Sequence, residues 1–254
     1  IVAGVTNTDN RPCTTSITGC TNEGKVESIA KGNHTYTAGI CIIYNGSNGS
    51  TYADELIINN CVNNGEIEGD TVAGIIGNSS GNLKLSDCEN NGAINGRYSA
   101  GGIAQCIENK NSSEAEVSNC INNGNVFGGE EAAGIIDYAE GITVTNCINN
   151  GNISSNGYVG GIFSYTSSVK GTGLVNNGKI SGLEDIGGIS AYDEGNSIFS
   201  KLYNTGVIDE ENIGAQVSNL VKLGESSTGE ELEEEHKHDY VALSTVTKAT
   251  TEKD

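Results

Sequence analysis

The sequence lacks the large apolar residues that fill most globular cores. Among its 254 residues there is no Met and no Trp, and there are only three Phe and one Pro. Such a chain does not build one broad core, but it can bury Ile, Val, Ala and Cys along a thin, repetitive one. Hydrophobic residues still make up 35% of the chain and recur at regular intervals, which excludes simple disorder.

Positive charge is also scarce. The chain has 13 Lys and Arg against 33 Asp and Glu, which gives a formal net charge of −20. Because basic side chains bind phosphate polyanions, we expect no nucleic-acid partner. The sequence has no run of 18 apolar residues, so we expect no membrane insertion. It also shows neither a signal peptide nor an initiator Met, and we expect a monomeric fragment of a larger multidomain chain.

The hexapeptide CINNGN occurs twice, and alignment on it reveals a repeat through most of the chain. The pattern C-x-N-x-G-x-[IV] holds at five places and continues at two more with Leu instead of Cys. The first residues of the seven copies are Cys20, Cys61, Cys88, Cys120, Cys147, Leu174 and Leu202. Their spacings of 41, 27, 32, 27, 27 and 28 residues indicate a basic unit of about 27 residues with insertions.

Each unit also contains a second anchor and an alternating apolar segment. The anchor AGI or GGI lies at 38–40, 73–75, 101–103, 133–135, 160–162 and 187–189. Segments such as LKLSDC at 83–88 alternate apolar and polar residues, which is typical of strands. We therefore predict an all-β, right-handed parallel β-helix (solenoid) over residues 1–223, with three short strands in each rung and roughly 7–8 rungs. A leucine-rich-repeat horseshoe is disfavoured, because it needs Leu at most apolar positions.

The series C-x-N-x-G-x-I followed by GGI resembles the GLUG-type repeats of bacterial cell-surface proteins. The resemblance covers roughly residues 1–216, although this chain uses Cys and Asn more heavily and has Ile where Leu is frequent in the family. It implies a secreted or cell-wall-attached, adhesin-like protein from a gut Firmicutes-like bacterium. Residues 224–254 begin with the acidic linker GESSTGEELEEE and continue with the start of a truncated β-module that resembles one found in surface proteins.

Two columns of the repeat are interpreted as structural ladders. A line of thiols has the wrong shape for tetrahedral zinc, and Leu replaces Cys twice, so we predict a buried, reduced cysteine ladder and no metal or cofactor. A Cys13–Cys20 disulfide remains open. The second column is predicted to form hydrogen bonds between rungs, and the Gly two residues further on is predicted to adopt a positive φ. The members of this column are Asn22, Asn63, Asn90, Asn122, Asn149, Asn176 and Asn204.

A column of tyrosines is the candidate ligand-binding feature. Tyr138, Tyr165 and Tyr192 each lie three residues after the anchor Ile, and Asp137 and Asp193 flank them. Stacked tyrosines are interpreted either as a platform for a sugar ring or as an aromatic stack that supports the wall of the solenoid.

From the sequence we predict a non-catalytic extracellular repeat domain, either a stalk or a scaffold that binds carbohydrate or a host surface protein. No catalytic residue is predicted, because the carboxylates near the tyrosines have no basic partner and the paired-Asp and GHG signatures of solenoid hydrolases are absent. Two alternatives remain. One is a polysaccharide-active lyase or hydrolase, and the other is an accessory domain of a secreted surface protease.

Overall fold

The chain folds as a parallel β-solenoid. The computed structural model describes residues 2–6, 13–29, 35–45, 55–109, 115–209 and 217–218, so the predicted linker and module at 224–254 lie outside it. Within these ranges there is no helix, and each strand pairs in parallel with strands of the neighbouring rungs. The predicted all-β, parallel β-helix class is thereby confirmed.

The strands form three sheets, named A, B and C. Sheet A contains Val2–Thr6, Cys41–Asn45, Ile76–Ser80, Ala104–Glu108, Ile136–Glu140, Phe163–Ser167 and Ser190–Asp193. Sheet B contains Thr14–Thr18, Thr21–Asn22, Glu55–Asn59, Val62–Asn63, Asn82–Ser86, Glu89–Asn90, Ala115–Ser118, Ile121–Asn122, Ile142–Thr145, Ile148–Asn149, Lys170–Asn176 and Ile198–Asn204. Sheet C contains Val26–Glu27, Tyr36–Ala38, Ile67–Ala73, Ile94–Gly101, Val126–Gly128, Glu131–Ala133, Ile153–Ser155, Tyr158–Gly160, Ile180–Ser181, Ile186–Gly187 and Val217–Ser218.

The number of complete rungs is slightly lower than predicted. Complete rungs begin at Glu55, Asn82, Ala115, Ile142 and Lys170, and successive rungs are roughly 28 residues apart. The structure thus describes about five rungs instead of 7–8, because the rungs at the two ends are described only in part. A regular rung such as 142–168 also holds five short strands rather than three, since corners divide sheets B and C.

The core is narrow and is filled by small and medium-sized apolar side chains. The anchor isoleucines are all buried, and in Asn82–Ser86 the buried Leu83 and Leu85 alternate with the exposed Lys84. Four cysteines of the predicted ladder continue this core, since Cys61, Cys88, Cys120 and Cys147 are at most 1% exposed. Cys20, which was predicted to be buried with them, is only partly buried, because it lies on the first described rung of this column. Leu174 and Leu202 occupy the same column and are equally buried, which is consistent with a packing role.

The predicted asparagine ladder is present. Each buried Asn side chain donates one hydrogen bond to the Oδ1 of the next Asn at 2.7–2.8 Å, from Asn22 through to Asn204. The same amide nitrogen donates a second bond to the carbonyl of the Gly two residues ahead. The ladder therefore joins the rungs in the interior and closes one corner of each rung.

The glycines of the motif have a different role from the predicted one. Positive φ is found at the residue before each Cys or Leu of the column, namely Gly19, Asn60, Asp87, Asn119, Asn146, Gly173 and Lys201. The motif glycines are needed because a Cβ on Gly65, Gly92 or Gly124 would lie 1.9–2.0 Å from a glycine carbonyl of the neighbouring rung. Close approach of two backbones, and not a left-handed turn, fixes Gly at this place.

The Gly that directly precedes each anchor Ile makes room for the ladder. A Cβ on Gly102 or Gly134 would lie 2.4–2.6 Å from an atom of the Asn122 or Asn149 side chain. The Asn of the C-x-N-x-G motif and the Gly before the anchor Ile therefore lie on opposite sides of one contact across the interior.

We predict that Asn122→Ala destabilises the protein by about 2–4 kcal/mol, because it removes three buried hydrogen bonds, namely those that Asn122 makes with Asn90, with Asn149 and with the Gly124 carbonyl. Urea unfolding followed by circular dichroism measures the loss. The matched control is Asn123→Ala, which removes a neighbouring but exposed amide that bonds Asn91 and Glu89. We expect the control to cost less than about 1 kcal/mol, and equal losses in the two variants would contradict the role of the ladder.

Candidate functional site

The candidate site lies where sheet C turns into sheet A, directly before and after the AGI or GGI anchor. On three successive rungs the outer surface here carries Tyr138, Tyr165 and Tyr192, and Tyr158 reaches it from sheet C. We call these four residues the tyrosine corner. The column arises because Ile136, Phe163 and Ser190 pair in register and place the residue two positions later above its equivalent in the neighbouring rung.

The tyrosines form a continuous stack. The ring centroids of Tyr138 and Tyr165 are 4.6 Å apart with planes 5° from parallel, and those of Tyr165 and Tyr192 are 5.4 Å apart at 28°. Cys106 and Asn78 occupy the same column on the preceding rungs, as predicted. The register inferred from the sequence therefore places these side chains together.

The geometry of the stack limits how it can bind a ring. The flat faces of Tyr138 and Tyr165 lie against each other, so they expose mainly their edges and hydroxyl groups. Tyr192, the last member of the stack among the described residues, is 44% exposed, and Tyr158 meets it edge-on with centroids 6.2 Å apart. If a sugar stacks at this corner, the ring of Tyr192 offers the surface for it.

Carboxylates accept hydrogen bonds from the hydroxyl groups of the stack. Tyr138 donates to Glu140 at 3.2 Å, and Tyr165 donates to Glu194 at 2.7 Å. Burial, assisted by Glu140, raises the pKa of Tyr138 to about 12, and burial together with Glu194 raises the pKa of Tyr165. Both phenols therefore stay protonated at neutral pH and act as hydrogen-bond donors.

The two aspartates that flank the column lie in different surroundings. Asp193 is half-buried and accepts a hydrogen bond from the Thr166 hydroxyl at 2.9 Å. Asp137 is fully buried behind the stack, where Gln105 Nε2 donates to its Oδ2 at 3.1 Å and Ser164 Oγ donates to its Oδ1. Burial, together with the negative charge of Glu131, raises the pKa of Asp137 to about 8. Asp137 thus does not contact the surface on which a ligand would lie.

Sequence reasoning missed four residues of this corner, namely Ser99, Gln105, Tyr158 and Ser164. Gln105 and Ser164 lie two positions after an anchor Ile, in the column of Asp137, while Ser99 and Tyr158 lie two positions before an anchor. A comparison of the repeats at each position shortly before and after the anchor would have identified them. Only the structure shows that the two columns meet at one corner.

The cysteine column contains no disulfide. All eight cysteines lie among the described residues and are thiols, so the Cys13–Cys20 bridge is not formed. Hydrogen bonding with Cys120 and burial raise the pKa of Cys88 to about 12, and burial raises the pKa of Cys41 to about 11. Within the described ranges, no three His, Cys, Asp or Glu side chains converge on a point that could hold a metal ion.

We predict that thiol titration in denaturant without reductant detects all eight cysteines. In the native protein only Cys13, which is exposed, and Cys20, which is partly buried, should react readily, because the other six cysteines are buried and inaccessible to the reagent. Reaction with a chromogenic disulfide reagent measures both numbers. A total below eight in denaturant would reveal a disulfide and contradict the reduced ladder.

The raised pKa of Asp137 predicts a pH-dependent stability. The folded state holds this proton more tightly than the unfolded chain, so the stabilisation is complete below about pH 4 and is lost as the pH rises through about 8. Asp137→Asn keeps a neutral group of similar shape. Between pH 5 and pH 9 it should remove roughly 1–3 kcal/mol of the decline in unfolding free energy.

Urea unfolding in buffers without divalent cations measures this difference. The exposed carboxylate variant Glu116→Gln serves as the control and should decline as the wild type does. A decline that is equal in the wild type and in Asp137→Asn would show that Asp137 does not hold a proton in this pH range.

None of the described segments forms a helix long and apolar enough to cross a membrane. Comparisons of this chain with protein-family models, with curated proteins and with solved structures find no match.

Proposed function

We propose that this chain is a non-catalytic binding scaffold from an extracellular, adhesin-like surface protein, and that it binds glycans at the tyrosine corner. The observation that carries the proposal is the exposed Tyr192 ring, with Tyr158 at its edge and carboxylates beside it. The extracellular setting rests on the resemblance to GLUG-type repeats.

The chemistry of the corner suits a sugar. A pyranose ring presents apolar C–H groups on one face and hydroxyl groups around its rim. Tyr192 supplies an apolar surface for the face. Glu194 and the oxygen of the Tyr165 hydroxyl, whose proton is donated to Glu194, supply acceptors for the hydroxyl groups of the rim. The net charge of −20 favours a neutral or basic glycan over an acidic one.

The fold supports binding through rigidity. Tyr138, Tyr165 and Tyr192 sit on strands of three hydrogen-bonded rungs, so their positions are set before a ligand arrives. A preorganised surface of this kind loses little conformational entropy on binding. A stalk made of the same rungs would also hold the corner away from the cell wall.

The second candidate is a polysaccharide-active enzyme, and one observation favours it. Asp137 has a raised pKa and lies beside Glu131, which is the environment of a general acid. Against this, Asp137 is 0% exposed and is covered by Gln105 and Ser164, so its proton does not reach a bound glycosidic oxygen in this conformation. We therefore prefer the binding function.

We predict that a glycan array probed with the wild-type protein identifies a ligand, and that Tyr192→Ala weakens its binding about 5- to 30-fold, since an aromatic contact contributes on the order of 1–2 kcal/mol. Tyr192→Phe should keep most of the affinity, because the ring is retained. Phe127→Ala is the matched control, because Phe127 is an aromatic residue of similar exposure, 43%, at another corner.

Calorimetry with the glycan found on the array gives the affinities. Unchanged affinity in Tyr192→Ala, or no glycan ligand for the wild type, would contradict binding at the tyrosine corner. Release of reducing ends from the bound glycan by the wild type, lost in Asp137→Asn, would support the enzyme instead.

A further inference from the structure

Three rings of the tyrosine corner form a stack whose geometry suits covalent coupling. The rings of Tyr138 and Tyr165 are nearly parallel, with planes 5° apart and centroids separated by 4.6 Å. Tyr192 continues the stack at 5.4 Å and 28°. The stack follows from the parallel register of sheet A, which sets equivalent residues of neighbouring rungs side by side. The rungs therefore hold phenol rings face to face before any reaction begins.

The two most closely stacked phenols each have a proton acceptor in place. Tyr138 donates its hydroxyl hydrogen to Glu140 at 3.2 Å, and Tyr165 donates to Glu194 at 2.7 Å. Removal of one electron makes a phenol strongly acidic, so its proton has to leave in the same step. A carboxylate within hydrogen-bond distance takes this proton without movement of the backbone. The surroundings of these two tyrosines therefore favour one-electron oxidation to phenoxyl radicals.

An exposed ring gives an oxidant access to the stack. Tyr192 is 44% exposed, whereas Tyr138 and Tyr165 are half-buried. An electron vacancy formed on Tyr192 can pass to Tyr165 and Tyr138, because the π-systems of stacked rings lie in contact. The chain has no Met and no Trp, which removes two side chains that compete for oxidants. Oxidation that begins at the surface can thus place two phenoxyl radicals next to each other.

We propose that Tyr138 and Tyr165 form a modification site, at which hydrogen peroxide activated by a haem peroxidase joins two rungs through a dityrosine bond. Each phenol loses one electron and one proton, and one ortho carbon of each ring then joins the other. The new C–C bond forms perpendicular to both ring planes, which is the direction in which stacked rings face each other. The hydrogens of the joined carbons then move to the phenol oxygens and restore both hydroxyl groups. Hydrogen peroxide takes up both electrons and both protons and gives two water molecules.

The other ring contacts of the tyrosine corner suit this reaction less well. Tyr158 meets Tyr192 at 64° with centroids 6.2 Å apart, so the edge of one ring points towards the other. The ortho carbons of such a pair do not face each other along the direction of the new bond. Tyr165 and Tyr192 are closer to parallel, but their centroids lie 5.4 Å apart. We therefore expect Tyr138–Tyr165 as the main product and Tyr165–Tyr192 as the minor one.

The bond would tie two neighbouring rungs together covalently. Tyr138 and Tyr165 are 27 residues apart in the sequence and lie on the paired strands Ile136–Glu140 and Phe163–Ser167. A cross-link of this span restricts the unfolded chain far more than the folded one, in which the two rings already stack. The solenoid would therefore become more resistant to unfolding after exposure to peroxide, which is a use of the stack separate from glycan binding.

The test is treatment of the native 254-residue chain with hydrogen peroxide and a peroxidase, at low protein concentration and with its accessible thiols alkylated beforehand. We expect a monomeric product with dityrosine fluorescence and a mass lower by two hydrogen atoms. Cleavage after glutamate places the three stacked tyrosines in separate peptides, 132–140, 141–184 and 185–194. The first two peptides should be recovered as one linked product, and tandem mass spectrometry should locate the link at Tyr165 and not at Tyr158.

Conservative variants decide whether the stack directs the reaction. Tyr165→Phe keeps a ring in the stack but cannot form a phenoxyl radical, so both linked products should be lost. Tyr138→Phe should lose the link to 132–140 and keep the minor link to 185–194. Tyr203→Phe is the matched control and should give the wild-type yield, because Tyr203 is 48% exposed and lies on sheet B, outside the column.

Absence of the linked peptides from the wild type would overturn the modification site, and so would an undiminished yield in Tyr165→Phe. An equal yield from protein unfolded in urea would also overturn it, because the stack would then not be required. The reaction is carried out without glycan. Failure of the cross-link would therefore leave the proposed binding function intact, and failure of glycan binding would leave the cross-link intact.

Discussion

The hydrogen bond between the side-chain amides of consecutive asparagines is the interaction on which the rest of the structure depends. It lies inside the protein, where Asn63, Asn90, Asn122, Asn149 and Asn176 are 0% exposed, and it repeats at 2.7–2.8 Å along the solenoid. A buried amide without a partner is costly, so each rung must present its Asn at the same height and angle as its neighbours. This requirement fixes the spacing of the rungs, and that spacing leaves no place for a large insertion at this corner.

The same ladder explains the unusual composition. For the amide to cross the interior, the opposite wall must be glycine, and a Cβ at Gly134 would lie 2.4 Å from the Asn149 side chain. Two backbones that approach so closely enclose a core too thin for Trp or many Phe side chains, and the sequence accordingly has none of the first and three of the second. Cys suits the remaining column because it is small and apolar, and Leu174 and Leu202 are buried at the same position in their rungs.

The period of the repeat was readable from the sequence because the ladder repeats the same residues at the same interval. The register of Tyr138, Tyr165 and Tyr192 followed from this period, because strands that pair in parallel with the same side chains facing the core keep equivalent residues next to each other in every rung. The conformation of the glycines did not follow. A Gly is required either where φ is positive or where two backbones approach closely, and the sequence alone does not distinguish the two cases. The residues of positive φ before each Cys were therefore not predicted. The burial of Asp137 was missed for a related reason. Alignment of the repeats shows which residues occupy equivalent positions of one sheet. It does not show that Ser99 and Gln105, from different sheets, pack together beside the carboxylate of Asp137.

The two buried aspartates show what such a fold demands of charge. A solenoid with a formal net charge of −20 can place nearly all of its carboxylates outward, where water screens them. Asp70, at 1% exposure, is balanced by Arg97, one of only two arginines in the chain. Asp137, at 0% exposure, receives hydrogen bonds from neutral donors among the residues that the structure describes, and an ionised carboxylate in such a place must gain a proton or a cation to be tolerated. A buried carboxylate beneath the tyrosine corner, with neutral hydrogen-bond donors around it among the described residues, therefore makes that corner sensitive to protons in a way that the regular rungs are not.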